Sequence, residues 1–208
     1  MLCLLILTVS AAGMLWAEDA EPDNGSFTPQ MRTNDRSKGD QTFNISAGIF
    51  IPLPVMLLND WPASGYNAGV TSSKLAVGGV GSLAYNFHIT GNIKAGLQLA
   101  GSFSKDINKN FMYSIPILIK GAYEFHPHGR ISVPLSLGLG INMTSYKDNF
   151  LVDMILRPGA GVYYDWSYEW SFGLDISYWF VPQLSPKSKE QWSIGNFMDI
   201  TLGAEYHF

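Results

Sequence analysis

The stretch ISVPLSLGLGINM, residues 131–143, alternates apolar side chains with small or polar ones. Successive side chains of a β-strand point to opposite faces of the sheet, so this period of two predicts a strand with one apolar and one polar face. The run is longer than the roughly five or six residues usual for strands of globular proteins. It matches the roughly 9 to 11 residues of a tilted strand that crosses a membrane. The stretch is therefore typical of a membrane-spanning strand.

The same period continues on both sides of this stretch and divides residues 41–208 into eight strands. When each strand is phased by its apolar residues, its charged residues fall on the opposite face. They are Lys74, Lys94, Lys120, Glu124, Asp153, Arg157, Asp165, Asp175, Asp199 and Glu205. A soluble sandwich would turn such a face to water, but its strands are shorter than these. Because lipid offers no partner to backbone groups, membrane strands close into a barrel. We predict an all-β fold, an eight-stranded antiparallel transmembrane β-barrel.

The composition agrees with a membrane barrel and excludes other classes. Only 14% of the 208 residues are charged and 47% are hydrophobic, whereas soluble domains carry about 25% charged residues. The net charge of −4 leaves no basic stripe that would neutralise nucleic-acid phosphates. Beyond the N-terminus, no apolar run reaches the roughly 18 residues that a spanning helix needs.

The N-terminal segment predicts export. Residues 1–17 combine a short apolar run with small residues before Glu18, as in a secretory signal peptide; a retained anchor is the alternative. Cys3 is the only cysteine, so cleavage after Ala17 would exclude disulfides and thiolate sites. Residues 18–40 are polar and aperiodic, which predicts a flexible periplasmic arm.

Aromatic residues cluster at both ends of the predicted strands, as in the girdles of outer-membrane barrels. The alternating C-terminus from Leu202 to Phe208 resembles the terminal signal that the barrel-assembly machinery reads. We therefore expect a bacterial outer-membrane location, with outer-membrane lipid and, through Phe208, the barrel-assembly machinery as partners.

Catalytic chemistry is not expected. All four histidines map to the periplasmic ends of the strands, namely His88, His126, His128 and His207. The base that a Ser/His lipid hydrolase would need at the outer rim is therefore missing. His126 and His128 have no third ligand nearby in the sequence, which favours a plain turn over a metal site. We predict no enzyme, no catalytic residues, no metal and no cofactor.

The predicted interior has two layers. Near the outer end, inward positions on different strands are apolar: Phe50, Met112, Leu151, Trp179 and Phe197. Below them the lumen carries a polar plug of both charge signs: Lys94, Lys120, Glu124, Arg157, Asp175, Asp199 and Glu205. An apolar pocket of this kind suits a small hydrophobic ligand or a detergent molecule, and small inward residues such as Gly138, Gly159 and Gly161 leave room for it. The alternative is a small barrel that simply fills its middle with side chains.

The chain resembles the outer-membrane protein W family in three stretches. They are Pro116 with the strand Leu118 to Phe125, then Gly138 to Thr144, and Gly161 to Asp165 leading to Asp175–Trp179. The resemblance implies an eight-stranded barrel with a narrow hydrophobic channel that releases small molecules sideways into the membrane. It also implies ligand contact for Leu118 and Trp179. A bulge at Pro116, Pro134 or Pro158 would make the exit or merely bend a strand.

Together these observations predict passive uptake of small hydrophobic molecules. The alternative is an adhesin or structural anchor that uses the outer loops Pro52 to Ser72 and Val181 to Gly195. These loops contain Trp61, Tyr66 and Trp192, which would bind a partner or rest at the lipid interface.

Overall fold

The described residues form one antiparallel β-sheet. The computed structural model describes residues 36–57, 70–71, 73–147, 149–183 and 193–208. Its strands are β1 Gln41–Pro52, β2 Val55–Leu57, β3 Val70–Thr71, β4 Gly78–His88, β5 Ile93–Lys105, β6 Phe111–His128, β7 Ile131–Tyr146, β8 Asn149–Asp165, β9 Trp170–Gln183 and β10 Ser193–His207. Within those ranges, no helix has the length and hydropathy needed to cross a bilayer. The predicted signal 1–17 and most of the predicted arm lie outside the described residues.

The sheet closes on itself. From β4 to β10 each strand pairs with the next, and β1 pairs with both β4 and β10. The closing ladder runs from Thr42↔His207 to Pro52↔Phe197. The predicted closed barrel of eight antiparallel strands is thereby confirmed. The short strand β2 pairs with the start of β10, with Ser193 opposite Leu57, and β3 pairs with β2. The sequence had indicated this region only as a loop.

The two ends of this barrel differ. We call the end that holds the connections after β1, β5, β7 and β9 the outer end. The inner end holds the turn before β1 and the last residue, whose N–H (Phe208) donates to the Gln41 carbonyl at 3.0 Å.

The barrel wall is apolar outside and polar inside, as the period of two predicts. In β7, Leu137 and Leu139 are 54% and 53% exposed, while Ser132 and Asn142 are buried. A lipid-facing band of this kind replaces the buried core of a soluble protein. Leu137 and Leu139 therefore lie on the outward face of β7, where lipid would surround them.

Aromatic side chains gather at both ends of the wall. At the inner end the Tyr206 ring lies 5.0 Å from that of Trp170 and 4.9 Å from that of Phe208. At the outer end the rings of Phe111 and Tyr113 stack at 6.0 Å. Their spacing along the strands matches the girdles that mark the two membrane interfaces of a barrel.

Prolines interrupt the ladders at three places. The β5–β6 pairs pass from Leu99↔Ile117 to Ser102↔Ser114, skipping Pro116. The β7–β8 pairs skip Pro134 and the β8–β9 pairs skip Pro158, with the register unchanged on either side. Proline lacks the N–H that a ladder needs, so each gap is local. Toward the outer end, the pair Leu156↔Phe180 follows the β8–β9 gap.

Inward glycines let neighbouring strands approach. A methyl group added at Gly140 would overlap the backbone oxygen of Ile117, and one at Gly161 would overlap the Asp175 carboxylate. At Gly121, by contrast, an added methyl group would have nothing within 4 Å. The sequence had suggested that inward glycines leave room for a ligand; here the wall and the Asp175 side chain already occupy that space.

Candidate functional site: the barrel interior

An apolar cluster fills the outer half of the lumen. Its members are Phe50, Val80, Met112, Leu118, Ile155, Trp179 and Val181, with Leu75, Tyr146 and Phe197 packed against it. Phe50 is completely buried, with its ring 5.2 Å from that of Trp179 and 5.0 Å from that of Phe197. The cluster is one connected apolar layer built by strands from all sides of the barrel.

Most of the predicted ligand-contact residues belong to this layer. Phe50, Met112, Leu118 and Trp179 are in its buried part, and Phe197 packs beside them. Leu151 departs from the expectation: its side chain is 44% exposed and lies outside the cluster. The residue that β8 contributes to the cluster is instead Ile155, two inward positions further into the barrel and not among the predicted ligand-contact residues.

An ion pair lies against this apolar layer. Arg157 Nη2 lies 2.8 Å from Asp199 Oδ2, and the Trp179 indole N–H donates to the same oxygen. The guanidinium carbon of Arg157 also lies 5.0 Å from the centre of the Trp179 ring. Both charges are almost completely buried. Trp179 is thus held by the polar plug while its ring faces the apolar cluster.

The middle of the lumen is polar and nearly filled. Asn44 donates to the Tyr163 hydroxyl at 2.8 Å, and that hydroxyl donates to Asp175. A cavity of about 10 Å³ between these groups is lined also by Lys120 and Glu205. Such a volume holds about one water molecule, so this layer has no room for a hydrated solute.

A cluster of charges closes the inner end. Lys94 Nζ lies 2.7 Å from both Glu124 Oε1 and Glu205 Oε1. Arg36 enters from the turn before β1 and brings its guanidinium to 3.2 Å from Glu124 and from Asp165. We call these five residues the inner ion cluster. All of its carboxylates are buried.

Arg36 belongs to the segment predicted to be a flexible arm. Residues 36–40 form a turn held to β4 by two backbone hydrogen bonds, Gly39 N–H to His88 O at 3.0 Å and His88 N–H to Asp40 O at 2.8 Å. Sequence reasoning missed Arg36 because its segment has no period. One signal was present: the predicted plug has three cations against four carboxylates, and Asp165 on the same face makes five, so a further cation was needed inside.

Beyond Leu156↔Phe180, the seam between β8 and β9 has no ladder pairs in the part that the structure describes, where Asp153–Ile155 of β8 lie opposite Val181–Gln183 of β9. We call this stretch the open seam. A side-chain hydrogen bond between Asp153 and Gln183 crosses this seam. Directly behind it lie Ile155 and Val181 of the apolar cluster, each 1% exposed. The cluster is therefore separated from the membrane side by side chains rather than by a backbone ladder.

The histidines form no metal or catalytic group in the described residues. His88 and His207 are bound to the inner ion cluster, through Glu124 and Arg36 respectively. In the described part of the chain, no three His, Cys, Asp or Glu side chains are grouped as metal ligands. Trp61, Tyr66 and Trp192, suggested for adhesion, lie outside the described residues, so the adhesin alternative stays a prediction.

Comparison with known proteins identifies relatives and a shared fold. The model of an uncharacterised family matches residues 20–206. An uncharacterised protein of Treponema pallidum (strain Nichols) is 31% identical over 137 residues, which are 66% of this chain and 62% of that relative. The chain thus spans less than two thirds of that relative's length.

Solved structures share the barrel. Neisserial surface protein A is 13% identical, with a TM-score of 0.59 over 82% of this chain and 98% of that chain. The outer membrane protein OprG from Pseudomonas aeruginosa is 13% identical, with a TM-score of 0.48 over 84% and 98% of the two chains. The first likeness shows that this fold is that of small outer-membrane β-barrels.

Proposed function

This chain belongs to the uncharacterised family whose model matches residues 20–206, and we propose that it takes up small hydrophobic molecules across an outer membrane. Molecules enter the apolar cluster from the outer end and leave sideways, between β8 and β9, into the bilayer. This is also the route that the resemblance to the outer-membrane protein W family implies.

The observation that carries this proposal is the open seam beside the apolar cluster. Ladder hydrogen bonds hold the cluster's other strands to their neighbours, so opening the wall there would leave several backbone groups unpaired in lipid, at several kcal/mol each. Along the open seam, the described residues have one cross-strand bond to break, the side-chain bond between Asp153 and Gln183. A molecule that displaces Ile155 and Val181 would reach lipid at the lowest cost.

The closed lower lumen favours a sideways exit over passage to the inner end. An apolar molecule moving straight through would separate the buried pair Arg157–Asp199 and then the inner ion cluster. Breaking one buried pair costs roughly 3 to 5 kcal/mol. An apolar molecule offers these charges nothing in return, whereas the membrane accepts it directly.

The same proposal includes the location and the partners. An outer-membrane location follows from the lipid-facing band and its two aromatic girdles. Phe208 lies 66% exposed at the inner end, where the barrel-assembly machinery would meet it. Export by residues 1–17 and the absence of enzymatic activity remain predictions.

A disulfide across the seam tests the exit. The register of Leu156↔Phe180 places Ile155 opposite Val181, so Ile155→Cys with Val181→Cys should lock the seam, with Cys3→Ser as the background. In a Gram-negative host that exports the chain, the entry of N-phenyl-1-naphthylamine, an apolar fluorophore, is followed by its fluorescence. We expect oxidation to slow the protein-dependent entry at least fivefold and reduction to restore it.

A matched lock on a closed ladder is the control. Thr144 and Leu151 are paired across β7 and β8, so Thr144→Cys with Leu151→Cys adds a disulfide to the same strand, nearer the outer end, without closing the seam. This variant should take up the dye at the same rate in both redox states. Unchanged uptake in the seam-locked protein would refute the sideways exit, and no protein-dependent uptake in the background protein would refute the function.

A further inference from the structure

Three turns at the outer end contain lysines in an unusual backbone conformation. The non-glycine residues with positive φ among the described residues are Lys74, Lys109 and Lys147, with φ of 54°, 65° and 55°. This left-handed region suits glycine and, less well, asparagine and aspartate, while other L residues pay roughly 1 kcal/mol to enter it. Each lysine lies in a different connection, before β4, after β5 and after β7. All three turns therefore place a lysine in this unfavourable backbone conformation.

Hydrogen bonds bring these turns together around Asp106. The Ile107 N–H donates to the Lys74 carbonyl at 3.2 Å, and the Lys109 N–H donates to the Asp106 carbonyl at 2.9 Å. From β7, the Tyr146 hydroxyl donates to Asp106 Oδ2 at 2.8 Å. Three separate connections thus form one platform at the outer end, and its backbone is fixed.

The platform is cationic. Four exposed lysines surround Asp106; we call Lys74, Lys105, Lys109 and Lys147 the lysine rim. Among the described residues, Asp106 is the carboxylate that lies between these lysines; it is 7% exposed, and its oxygens already accept from the Ile107 N–H and the Tyr146 hydroxyl. The hydrogen bond from Tyr146 is the main cause that lowers the pKa of Asp106, so this carboxylate stays ionised. Within the part of the chain that the structure describes, the four lysine charges of the rim exceed the charge of Asp106, although the net charge of the whole chain is −4.

The rim lies at the depth of the membrane interface. Lys105 Nζ is 5.4 Å from the centre of the Phe111 ring, which belongs to the outer aromatic girdle. Lys147 Nζ is 5.1 Å from the centre of the Tyr146 ring. Girdle residues sit at the level of the lipid headgroups, so the Lys105 ammonium group over the Phe111 ring is level with the phosphates, whereas Tyr146 under Lys147 packs against the interior cluster.

We propose that the lysine rim is a binding site for the phosphate groups of anionic lipids in the outer leaflet. Ammonium groups are point charges that suit phosphate oxygens. Hydrogen bonds at Asp106 hold the backbone of these turns together, so less backbone freedom is lost on binding. A soluble polyanion would need the same positive charge, but it would not need a lysine such as Lys105 placed over a ring of the aromatic girdle.

Lipid retention tests the site. The wild-type protein and Lys74→Gln/Lys105→Gln/Lys109→Gln/Lys147→Gln are purified in detergent micelles with equal amounts of phosphatidylglycerol and phosphatidylcholine, and bound lipids are counted by native mass spectrometry. Glutamine keeps the length of the side chain and removes its charge. We expect the wild type to retain phosphatidylglycerol selectively, and each lysine removed to reduce its affinity about fivefold.

A second variant keeps the test independent of folding. Lys74→Asn/Lys109→Asn/Lys147→Asn places a residue that tolerates the left-handed region at each turn, so it should fold at least as well as the wild type and still lose phosphatidylglycerol. Lys38→Gln removes an exposed lysine at the inner end and should retain the lipid as the wild type does.

The outcomes separate the possible ligands. Selective retention that is lost in both rim variants, and that millimolar inorganic phosphate does not displace, supports a lipid site. Equal retention in the wild type and the variants overturns the proposal. Displacement by inorganic phosphate, or binding of soluble polyphosphate without lipid selectivity, also overturns it and assigns the rim to a soluble anion.

Discussion

Replacing Arg36 with alanine should destabilise the barrel, although Arg36 precedes the first strand. Its guanidinium lies 3.2 Å from Glu124 and from Asp165, and 3.7 Å from Glu205. The Arg36 side chain is 10% exposed, and those of the three carboxylates are at most 4% exposed. Without Arg36, Lys94 is left as the one cation of the inner ion cluster, against three carboxylates.

The magnitude follows from that burial. Removing one partner of a buried ion pair typically costs roughly 3 to 5 kcal/mol, because the remaining charge stays in a low dielectric without compensation. Lys94 still lies 2.7 Å from two of the carboxylates, so we expect the lower end, about 3 kcal/mol. The stability of Arg36→Lys should lie between those of the wild type and Arg36→Ala, since one ammonium nitrogen replaces the two guanidinium nitrogens that contact Glu124 and Asp165 separately.

The assay is urea unfolding in lipid vesicles, followed by the shift in gel mobility between the folded and unfolded barrel. Lys38→Ala, an exposed lysine in the same turn, removes the same charge and should change the free energy of unfolding by less than about 0.5 kcal/mol. If Arg36→Ala and Lys38→Ala behave alike, the inner ion cluster does not depend on Arg36 and the reasoning fails.

Two further predictions concern the barrel wall. Gly140→Ala should lower the free energy of unfolding by about 1 to 3 kcal/mol, because its methyl group would meet the backbone oxygen of Ile117. Gly121→Ala, where an added methyl group meets nothing, should be nearly neutral. Equal urea midpoints for the two variants would contradict the close approach of the strands at Gly140. Leu137→Lys puts a charge on the lipid-facing side of the wall and should lower the free energy of unfolding by about 2 to 4 kcal/mol. Ile107→Lys, in an exposed outer turn, should change it little. An equal loss of stability in both variants would contradict the lipid-facing placement of Leu137.

The fold could be predicted from the sequence because one periodic signal sets the face of every side chain. Leu137 faces lipid, and Arg157 and Asp199 face the lumen, as the alternation predicts. The alternation also brings Phe50, Leu118 and Trp179 to one layer. The period gives the face of each residue and its approximate height along the strand. In a closed barrel, face and height together determine where the residue lies.

The ion-pair partners inside the lumen and the exposure of side chains near strand ends were not predictable in the same way. The period places Lys94 and Arg157 inside but does not say that one pairs with Glu124 and Glu205 and the other with Asp199. Arg36 reaches Glu124 and Asp165 from an aperiodic segment, so no pattern connects them. Leu151 has the inward phase, yet its side chain is 44% exposed, and the position that the β8–β9 register would place opposite it lies outside the described residues.

The ladder between β1 and β10 determines when the barrel can form. Its pairs, such as Thr42↔His207, join the two ends of residues 41–208, so most of the loop-closure entropy of the chain is paid at one step. Any shorter stretch of these strands leaves two unpaired edges, which invite association with other chains. Pairings of such high sequence separation also fold slowly. Until β10 pairs with β1, the folding chain therefore keeps two open edges, and the pairing that removes them joins its most distant strands.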